Sequence, residues 1–293
     1  MNLWRKLMVV VVLLATVIVG LSHIGTVFAP GDSLSVIRIP VIIIGLVALW
    51  MTGWSRSLRI LLTGLGLWSG AVLAEGRIPP AEPGPVLVYQ KNLLFKNTDV
   101  TAAFADITQH SPDIVTLQEL SPGNADLLAM LSADYPFQHY CQFSSWAGVA
   151  VLSRHAVVAN SEFCAAGKGL AGMRVRIGNT DVWVTSLHLH WPWPYGQFGH
   201  VTRLLPTLAA LEGAVIVGGD FNMMPWGGSV ARIKAATRTR RAGAVVPTIT
   251  KKGLPLPIDH VLAPGGGTVT VLDKLGSDHA GVLTRVFLVP DTQ

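Results

Sequence analysis

The sequence predicts an α/β protein of the α+β type, in which packed sheets carry helices on their outer faces, preceded by three transmembrane helices. Two observations predict this class. Of the 293 residues, 50% are hydrophobic and only 13% are charged, whereas soluble proteins average about 25% charged residues. From Val86 onward, short β-rich segments are mixed irregularly with a few helical stretches, which is typical of sheets covered by helices.

The shortage of charge is confined to the N-terminal part of the chain. Residues 1–84 contain six Lys and Arg and three acidic residues, whereas the remainder contains 16 basic and 14 acidic residues. The remainder therefore has an ordinary globular composition, and its length suits one large core rather than two typical domains. Disorder and collagen are excluded by composition, and a disulfide-dense miniprotein is excluded because there are only two cysteines.

Residues 1–78 are predicted to be a membrane anchor with three helices. Three apolar stretches approach the ~20 residues that cross a bilayer: Leu7–Phe28, Val36–Trp54 and Leu58–Leu73. The alternative for the first stretch is a cleaved signal peptide, since Val27-Phe28-Ala29 resembles a cleavage site. The apolar run is too long for a usual signal core and two more spans follow, which favours the anchor.

The cations flanking these stretches predict the orientation of the anchor. Arg5 and Lys6 precede the first span, and Arg56 and Arg59 separate the second from the third. Because cytoplasmic loops are enriched in Lys and Arg, the N-terminus is expected in the cytoplasm. Three crossings of the cell (inner) membrane then place residues 86–293 on the extracytoplasmic side, after a stiff Pro-rich linker at residues 79–85.

The two cysteines have two possible states in such a compartment. Cys141 and Cys164 are 23 residues apart, a spacing compatible with a disulfide between neighbouring strands in an oxidising environment. The alternative is a pair of buried thiols, and the sequence leaves both open.

The globular part is predicted to consist mainly of short strands. Helical periodicity indicates three helices at Thr98–His110, Asn124–Leu131 and Val201–Leu211. Val-rich runs bounded by turn residues indicate the strands: Val86–Tyr89, Ile114–Leu117, Gly148–Leu152, Met173–Ile177, Val182–Leu187, Val215–Val217, Ile258–Leu262, Val269–Leu272 and Val282–Val289.

Polar residues cluster where the predicted strands end, the position at which a sheet displays functional groups. Glu119 directly follows a buried strand, so its carboxylate must reach solvent or a cation. Oxygen ligands from Asn92, Glu119 and Asp278 suit Mg²⁺, with Mn²⁺ as a possible substitute. No Cys or His grouping has the spacing of a structural zinc site.

Seven short motifs occur in a fixed order along the globular part. They are Asn92, Gln118-Glu119, Gly148–Arg154, Ser186–Leu189, Gly219–Asn222, Ile258–Val261 and Ser277–His279. Together they resemble the endonuclease/exonuclease/phosphatase superfamily with the deoxyribonuclease-I-like fold, over about Val86 to Val289. The resemblance implies a four-layer sandwich of two mainly antiparallel sheets flanked by helices. It also implies a catalytic domain at residues 86–293 that hydrolyses phosphodiester bonds with a divalent metal.

The resemblance also implies a role for each matching residue. Glu119 corresponds to the main metal ligand, assisted by Asn92 and Asp278. The catalytic group comprises two phosphate-facing histidines, the acid that orients one of them, and a pair that positions the attacking water and the phosphate. His188 and His279 correspond to the two histidines, and Asp259 corresponds to the acid that orients His279. Asp220 and Asn222 correspond to the pair that positions the water and the phosphate.

Two segments are candidates for substrate binding. The loop from Trp191 to Gly199 contains Trp191 and Trp193 and is interpreted as a stacking platform for bases, a wedge for lipid, or a local hydrophobic plug. Seven cations and no acid lie between Asn222 and Asp259. This basic segment either attracts a polyanion or is a solvated face near anionic headgroups. The candidate cations are Arg154, Arg238, Arg240 and Arg241.

The sequence supports three functional hypotheses. The first is a membrane-tethered nuclease, with nucleic acid as the preferred phosphodiester substrate. The second keeps the same site and replaces the substrate with a lipid headgroup, as in a phospholipid, sphingomyelin or phosphoinositide phosphoesterase. The third is a non-catalytic binding domain, which the full set of candidate site residues disfavours. No protein partner is predicted.

Overall fold

The computed structural model describes residues 2–78, 80, 82–165 and 167–289, so Pro79 and Ala81 of the predicted linker lie outside the described residues. The N-terminal part folds into helices α1 (Leu3–Ser22), α2 (Ala29–Val36), α3 (Arg38–Trp50) and α4 (Arg56–Gly70), with a 3-10 turn at Ala71–Ala74. Two helical stretches, Leu3–Ser22 and Arg56–Ala74, are long and apolar enough to cross a membrane.

The second predicted span is bent rather than continuous. Helices α2 and α3 meet at an angle of 68°, so they count as a third candidate span only if the bent pair is taken as one. Pro40 lies in the first turn of α3. A helix continuing from α2 would need the N–H of residue 40 to bond to the carbonyl of Val36, and proline has no N–H to donate. The break therefore follows from the sequence.

The remainder of the chain contains strands β1–β14 and helices α5–α8. The helices are α5 (Thr101–His110), α6 (Asp126–Met130), α7 (Gln197–Ala209) and α8 (Gly228–Thr237). The strands are β1 (Val86–Asn92), β2 (Ile114–Leu120), β3 (Phe137–Gln142), β4 (Gly148–Ser153), β5 (Phe163–Ala165), β6 (Leu170–Ile177), β7 (Thr180–His188), β8 (Ala214–Asp220), β9 (Arg240–Arg241), β10 (Ile249–Lys251), β11 (Leu254–Leu256), β12 (Asp259–Ala263), β13 (Gly267–Val271) and β14 (Val282–Val286).

Twelve of these strands form two six-stranded sheets. The first has the order β13-β14-β1-β2-β4-β3 and the second the order β5-β6-β7-β8-β12-β9, while β10 and β11 form a separate hairpin. The pairs β1–β2 and β7–β8 are parallel, and the other neighbours within the two sheets are antiparallel. Both sheets are therefore mainly antiparallel.

Three apolar layers hold the domain together. Residues such as Val149, Val184 and Ile216 pack between the two sheets. Helices α5 and α6 cover the outer face of the first sheet around Ile107, and α7 and α8 cover the outer face of the second around Leu204. The predicted four-layer arrangement of two sheets flanked by helices is confirmed.

The outer edges of the two sheets are joined covalently. Cys141 of β3 and Cys164 of β5 form a disulfide, with Cα atoms 5.6 Å apart. Because β3 and β5 are the last strands of their sheets, the bond ties the sandwich together along one side. Of the two states that the sequence left open, the structure has the disulfide.

One end of the sandwich collects the predicted polar residues. The two parallel strand pairs end there, with Asn92 beside Gln118 and His188 beside Asp220. Strand β12 begins at the same end, because Asp259 pairs with Asp220 in an antiparallel register. Side chains distant in sequence therefore meet across the gap between the sheets.

Candidate active site

The centre of the site is a contact between Asn92, Glu119 and Asp220. The Nδ2 atom of Asn92 donates to Oε1 of Glu119 at 3.1 Å and to Oδ2 of Asp220 at 3.0 Å. Asn92 and Asp220 are almost fully buried, whereas Glu119 is partly exposed to the cleft. Two carboxylates are thus held side by side at the ends of strands from different sheets.

Glu119 owes its position to an irregularity in β2. The register between β2 and β4 shifts between Gln118 and Leu120, and Glu119 has a φ of 56°, in the left-handed region. Such a bulge redirects one side chain out of the alternation of a strand. The second oxygen of Glu119 accepts a hydrogen bond from the backbone N–H of Phe95 at 2.9 Å, which fixes the carboxylate.

Facing this pair is a buried histidine held by an acid. The Nδ1 atom of His279 lies 2.8 Å from Oδ2 of Asp259, and its Nε2 atom lies 3.8 Å from Oδ2 of Asp220. Asp259 also accepts hydrogen bonds from the Thr248 hydroxyl and from Nε2 of Gln90. The ring therefore points Nε2 into the site with its opposite nitrogen restrained.

The electrostatics of these groups are coupled. Burial raises the pKa of Asp220 to about 7, against the opposing attraction of His279. Burial alone would lower the pKa of His279, but the carboxylates of Asp259 and Asp220 outweigh it and raise that pKa to about 10. The buried carboxylates thus favour the cationic form of His279, and burial increases the affinity of the Asp220 carboxylate for a proton.

His188 and Asn222 complete the wall of the site. The Nε2 atom of His188 lies 3.6 Å from Oδ2 of Asp220 and 3.8 Å from Oε1 of Glu119. Burial, with a contribution from His279, lowers the pKa of His188 to about 4. Asn222 has a φ of 46°. Its backbone N–H donates to Asp220 at 2.8 Å and its Nδ2 to the carbonyl of Leu189 at 2.8 Å.

A cleft of about 520 Å³ opens onto these side chains. Glu119, His188, Asp220, Asn222 and His279 line its floor. Its walls are aromatic, with contributions from Phe95, Phe143, Trp146, Trp191 and Tyr195. Apart from His279 and the other histidines, one basic side chain lines the cleft among the described residues: Lys251, whose Nζ lies 3.8 Å from the centre of the Trp191 ring. The cleft therefore suits a ligand with one anionic group and an apolar or aromatic portion.

The predicted metal ligands differ in position. Asn92 and Glu119 are in direct contact, whereas Asp278 is an exposed residue on the rim of the cleft. Asp220 is the carboxylate that joins Glu119 instead: single ligand atoms of Glu119, His188 and Asp220 lie within 4.8 Å of one another. Two carboxylates with one imidazole fit a divalent cation. The amide oxygen of Asn92 accepts from the N–H of Leu94 and would join this set only with the amide turned over.

The candidate cations lie elsewhere. Strand β4 runs antiparallel to β2, so Arg154 follows it at the end opposite Glu119, where its guanidinium packs on the Tyr135 ring. Arg240 and Arg241 pair with the end of β12 remote from Asp259, and Arg238 donates to the carbonyl of Leu211. None of these four described arginines lines the cleft. These arginines are close to the motifs in the sequence but do not line the cleft in the fold.

The aromatic loop is divided between two environments. Trp191 lines the cleft, whereas Trp193 is 55% exposed and is not among the lining residues. The carbonyl of Trp193 accepts a hydrogen bond of 2.6 Å from the Ser33 hydroxyl of α2. The loop thus connects the cleft to the N-terminal helices.

Four residues that sequence reasoning did not assign also support the site. Gln90 and Thr248 bind Asp259, and the Ser277 hydroxyl accepts from the N–H of His279 and donates to the carbonyl of Asn92. Lys91 is fully buried and donates to the carbonyls of Asp273 and His279, each at 3.1 Å. Gln90 could have been found, because it precedes Asn92 by two residues and so shares its face of β1.

Comparisons with known proteins agree with this geometry. A sequence model described as "Endonuclease/Exonuclease/phosphatase family" matches residues 90–279. A protein of that family from Leptotrichia buccalis C-1013-b is similar in structure, with a TM-score of 0.54 and 15% identity over 69% of this chain and 99% of the other.

Two further solved structures share the fold. D. rerio TDP2 complexed with single strand DNA product has a TM-score of 0.53 and 14% identity, over 68% of this chain and 97% of the other. A beta toxin mutant from Staphylococcus aureus with bound magnesium ions has a TM-score of 0.50 and 14% identity, over 68% and 99%. Among curated proteins, none matches the chain in sequence.

Proposed function

The chain belongs to the endonuclease/exonuclease/phosphatase family, and from this we propose that its cleft hydrolyses phosphodiester bonds with the aid of a divalent cation. The observation that carries the proposal is the convergence of Glu119, Asp220 and the Asp259–His279 pair on one point of the cleft. Phosphodiester hydrolysis requires a positioned water, neutralisation of the phosphate oxygens and stabilisation of the leaving oxygen. The described side chains offer a group for each requirement.

The cation would be held by the carboxylates of Glu119 and Asp220, and Asn92 would join them through its amide oxygen once the amide is turned over, because Nδ2 is the atom that faces the two carboxylates here. Mg²⁺ is the first candidate and Mn²⁺ the second, because both prefer oxygen ligands. When bound, the cation would supply positive charge to the non-bridging oxygens of the phosphate. The beta toxin structure with bound magnesium ions supports this choice for the fold.

The side chains of the protein would transfer the protons and orient the reacting groups. His279 holds a proton on Nε2 that can be donated to a phosphate oxygen, and Asp259 keeps the ring oriented and stabilises its charge. Asp220, whose pKa is raised to about 7 by burial, can accept a proton from the attacking water. Asn222 is held against Asp220 by its backbone N–H and so presents its amide at the same place.

The substrate that the cleft suits best is a lipid headgroup phosphodiester. A polynucleotide is usually held by several cations that follow its phosphates, whereas Lys251 is the one Lys or Arg that lines the cleft among the described residues. A headgroup has one phosphodiester, and the Trp193–Ser33 hydrogen bond links the loop that carries Trp191 to α2 of the N-terminal part, whose helices α1 and α4 are apolar enough to cross a membrane. Together these observations favour a substrate drawn from the membrane.

Single-stranded nucleic acid is the second candidate substrate. The aromatic walls of the cleft could stack on bases without sequence preference. The similarity to D. rerio TDP2, whose structure contains a single strand DNA product, supports this alternative at the level of the fold.

We further propose that residues 1–78 anchor the protein in the cell membrane with the catalytic domain outside the cytoplasm. The two apolar helical stretches support the anchor. The Cys141–Cys164 disulfide supports an oxidising compartment, because such bonds are rare in the reducing cytoplasm.

The test uses the full chain in detergent or vesicles with Mg²⁺. Three substrates are compared: bis(p-nitrophenyl) phosphate, vesicles of phosphatidylcholine and sphingomyelin, and a single-stranded DNA oligonucleotide. We expect hydrolysis of the first two, and loss of both in Glu119→Gln. Cleavage of DNA without lipid hydrolysis would contradict the lipid proposal, and hydrolysis of none of the three would contradict the phosphodiesterase proposal.

A further inference from the structure

A buried acid from the N-terminal helices is inserted into the catalytic domain. Asp32 of α2 is 1% exposed. Its carboxylate accepts hydrogen bonds from the backbone N–H groups of Gly228 and Ser229 and from the Ser229 hydroxyl. These are the first residues of α8, whose own N-cap residue is a glycine without a capping side chain. Asp32 therefore provides the negative charge and the acceptors that a helix N-terminus requires.

The segment held in this way is continuous with the active site. Residues 223–227 connect Asn222 to α8. Trp226 in this segment donates from Nε1 to the carbonyl of Ser35 at 2.8 Å, and the Ser35 hydroxyl lies 3.6 Å from the sulfur of Met223. Helix α2 thus contacts the connection at both of its ends.

The same helix also holds the opposite side of the cleft. Ser33 donates to the carbonyl of Trp193, within the loop that contributes Trp191 and Tyr195 to the cleft wall. Ser33 and Ser35 of one short helix therefore contact the two loops that follow His188 and Asn222. A tether that only kept the domain near the membrane would not need contacts with either loop.

The backbone at the start of α8 also lies very close to the backbone of the α1–α2 connection. A Cβ atom on Gly228 would collide with the backbone of Gly25 and Thr26. The approach requires glycine at this position, since any side chain would separate α8 from the α1–α2 connection. The interface is thus closely fitted and is centred on the Asp32 carboxylate.

We propose that α2 is a positioning element of the active site, in which Asp32 acts through the first turn of α8 to set the placement of Asn222. This inference rests on the proposed phosphodiesterase function. The N-terminal helices would then be required for full turnover of any substrate, including a small soluble one that does not depend on membrane attachment. Asp32 touches no substrate, so its effect is expected in kcat rather than in KM.

The first experiment compares full-chain variants in detergent with bis(p-nitrophenyl) phosphate as substrate. Asp32→Asn keeps the shape of the side chain but replaces one acceptor oxygen by a donor that faces backbone N–H groups. We expect kcat to fall roughly 10- to 100-fold, the effect of a small displacement of a catalytic group, with KM nearly unchanged. Asp32→Glu, which keeps the carboxylate, should recover part of the loss.

The matched control is Thr63→Ala, which removes a hydrogen bond between α3 and α4 away from the catalytic domain. It should leave kcat unchanged. Wild-type kcat in Asp32→Asn would overturn the proposal and leave α2 as a tether. A wild-type protein that hydrolyses no phosphodiester would instead contradict the proposed function.

A second experiment reports on the interface without any activity. A protease site is placed in the linker at residues 79–85 and cut in the folded full chain. We expect the catalytic domain to co-elute with the N-terminal helices after cleavage, and to be released at least about tenfold more readily in Asp32→Asn or Gly228→Ala. Equal release from wild type and both variants would show that Asp32 does not hold the interface, and would overturn the proposal even if a variant were too unstable for kinetics.

Discussion

The Nδ1 atom of His279 lies 2.8 Å from Oδ2 of Asp259, and both side chains are almost completely buried. Each of the two residues also makes hydrogen bonds to further residues around the site. Asp259 binds Thr248 and Gln90, and the backbone of His279 binds Ser277 and Lys91. The position of the imidazole is therefore determined by at least four residues that do not themselves face the cleft.

Removing this imidazole should greatly reduce turnover and leave the fold intact. For His279→Ala we expect kcat to fall by about 10²- to 10⁴-fold, because a positioned acid contributes about that factor. Steady-state hydrolysis of bis(p-nitrophenyl) phosphate by the full chain measures the effect, with thermal unfolding measured alongside. His110→Ala, in a partly exposed residue of α5, is the control and should be unaffected. Retained activity in His279→Ala would remove the role assigned to this residue.

Metal binding should depend on Glu119. A cation that binds only the folded state raises the melting temperature, so Mg²⁺ or Mn²⁺ should stabilise the wild type and EDTA should reverse the shift and abolish activity. In Glu119→Gln the shift should be lost. Glu212→Gln changes an exposed acid before β8, at the far end of that strand, and should behave like the wild type. An equal shift in Glu119→Gln would place the cation elsewhere.

Lys91 should matter for catalysis although it does not line the cleft. Its ammonium donates to the carbonyls of Asp273 and His279, and burial lowers its pKa to about 8 despite the neighbouring acids. Lys91→Met fills a similar volume but removes the side-chain donor to the His279 carbonyl and one of the two donors to the Asp273 carbonyl, which also accepts from the N–H of Gly281. Loss of a buried hydrogen-bond partner costs about 1–3 kcal/mol. We expect the loop to relax and kcat to fall roughly tenfold.

The control for Lys91 lies on the same loop. Lys274→Met changes an exposed lysine and should leave kcat within about twofold, since surface substitutions have small effects. If both variants had the same kcat as the wild type, Lys91 would serve stability alone. Melting temperatures of the two variants separate these outcomes.

The disulfide should stabilise the catalytic domain. Cys141 and Cys164 enclose a loop of 23 residues, and a cross-link of this size contributes about 3 kcal/mol to the free energy of unfolding in the chain-entropy account. Cys141→Ser with Cys164→Ser should therefore lower the melting temperature, and a reducing agent should lower that of the wild type to a similar value. An unchanged melting temperature in both cases would contradict this role.

The orientation in the membrane can be tested in cells. A reporter fused after residue 293 should be active only when it is of a type that functions outside the cytoplasm, because three crossings, with the bent α2–α3 pair counted as one span, would follow a cytoplasmic N-terminus. Activity of only a cytoplasmic type of reporter would contradict the topology. Alkylation of Cys141 and Cys164 without prior reduction would contradict an oxidising location for the domain.

Much of the fold could be predicted because its signals are local. The strands that carry Asn92, Glu119 and Asp220 are continuous Val-rich runs, and each ends within three residues of the predicted boundary. Strands β3, β5, β9, β10 and β11 and helix α8 were not predicted. The first two are edge strands of mixed polarity, and α8 begins with glycine and has no capping side chain of its own.

Only part of the active site could be predicted from the sequence. The strand end indicates that Glu119 is functional, because an acid after a buried strand needs a partner, whereas the roles of Asp259 and His279 were implied by the resemblance of their motifs to the family. The pairing of Glu119 with Asp220, rather than with Asp278, depends on the bulge in β2 and on the order of strands in two sheets. Neither can be derived from a local pattern.

The sequence by itself determined a charge-poor helical segment, a β-rich domain and the chemistry of the groups at the ends of its strands. The tertiary structure decided which groups meet, that Arg240 and Arg241 lie away from the cleft, and that Asp32 enters the catalytic domain. The physical reason is that hydrophobic periodicity and residue chemistry act over a few neighbouring residues. Strand direction, register and the docking of one helix on another are set by contacts between residues far apart in the chain.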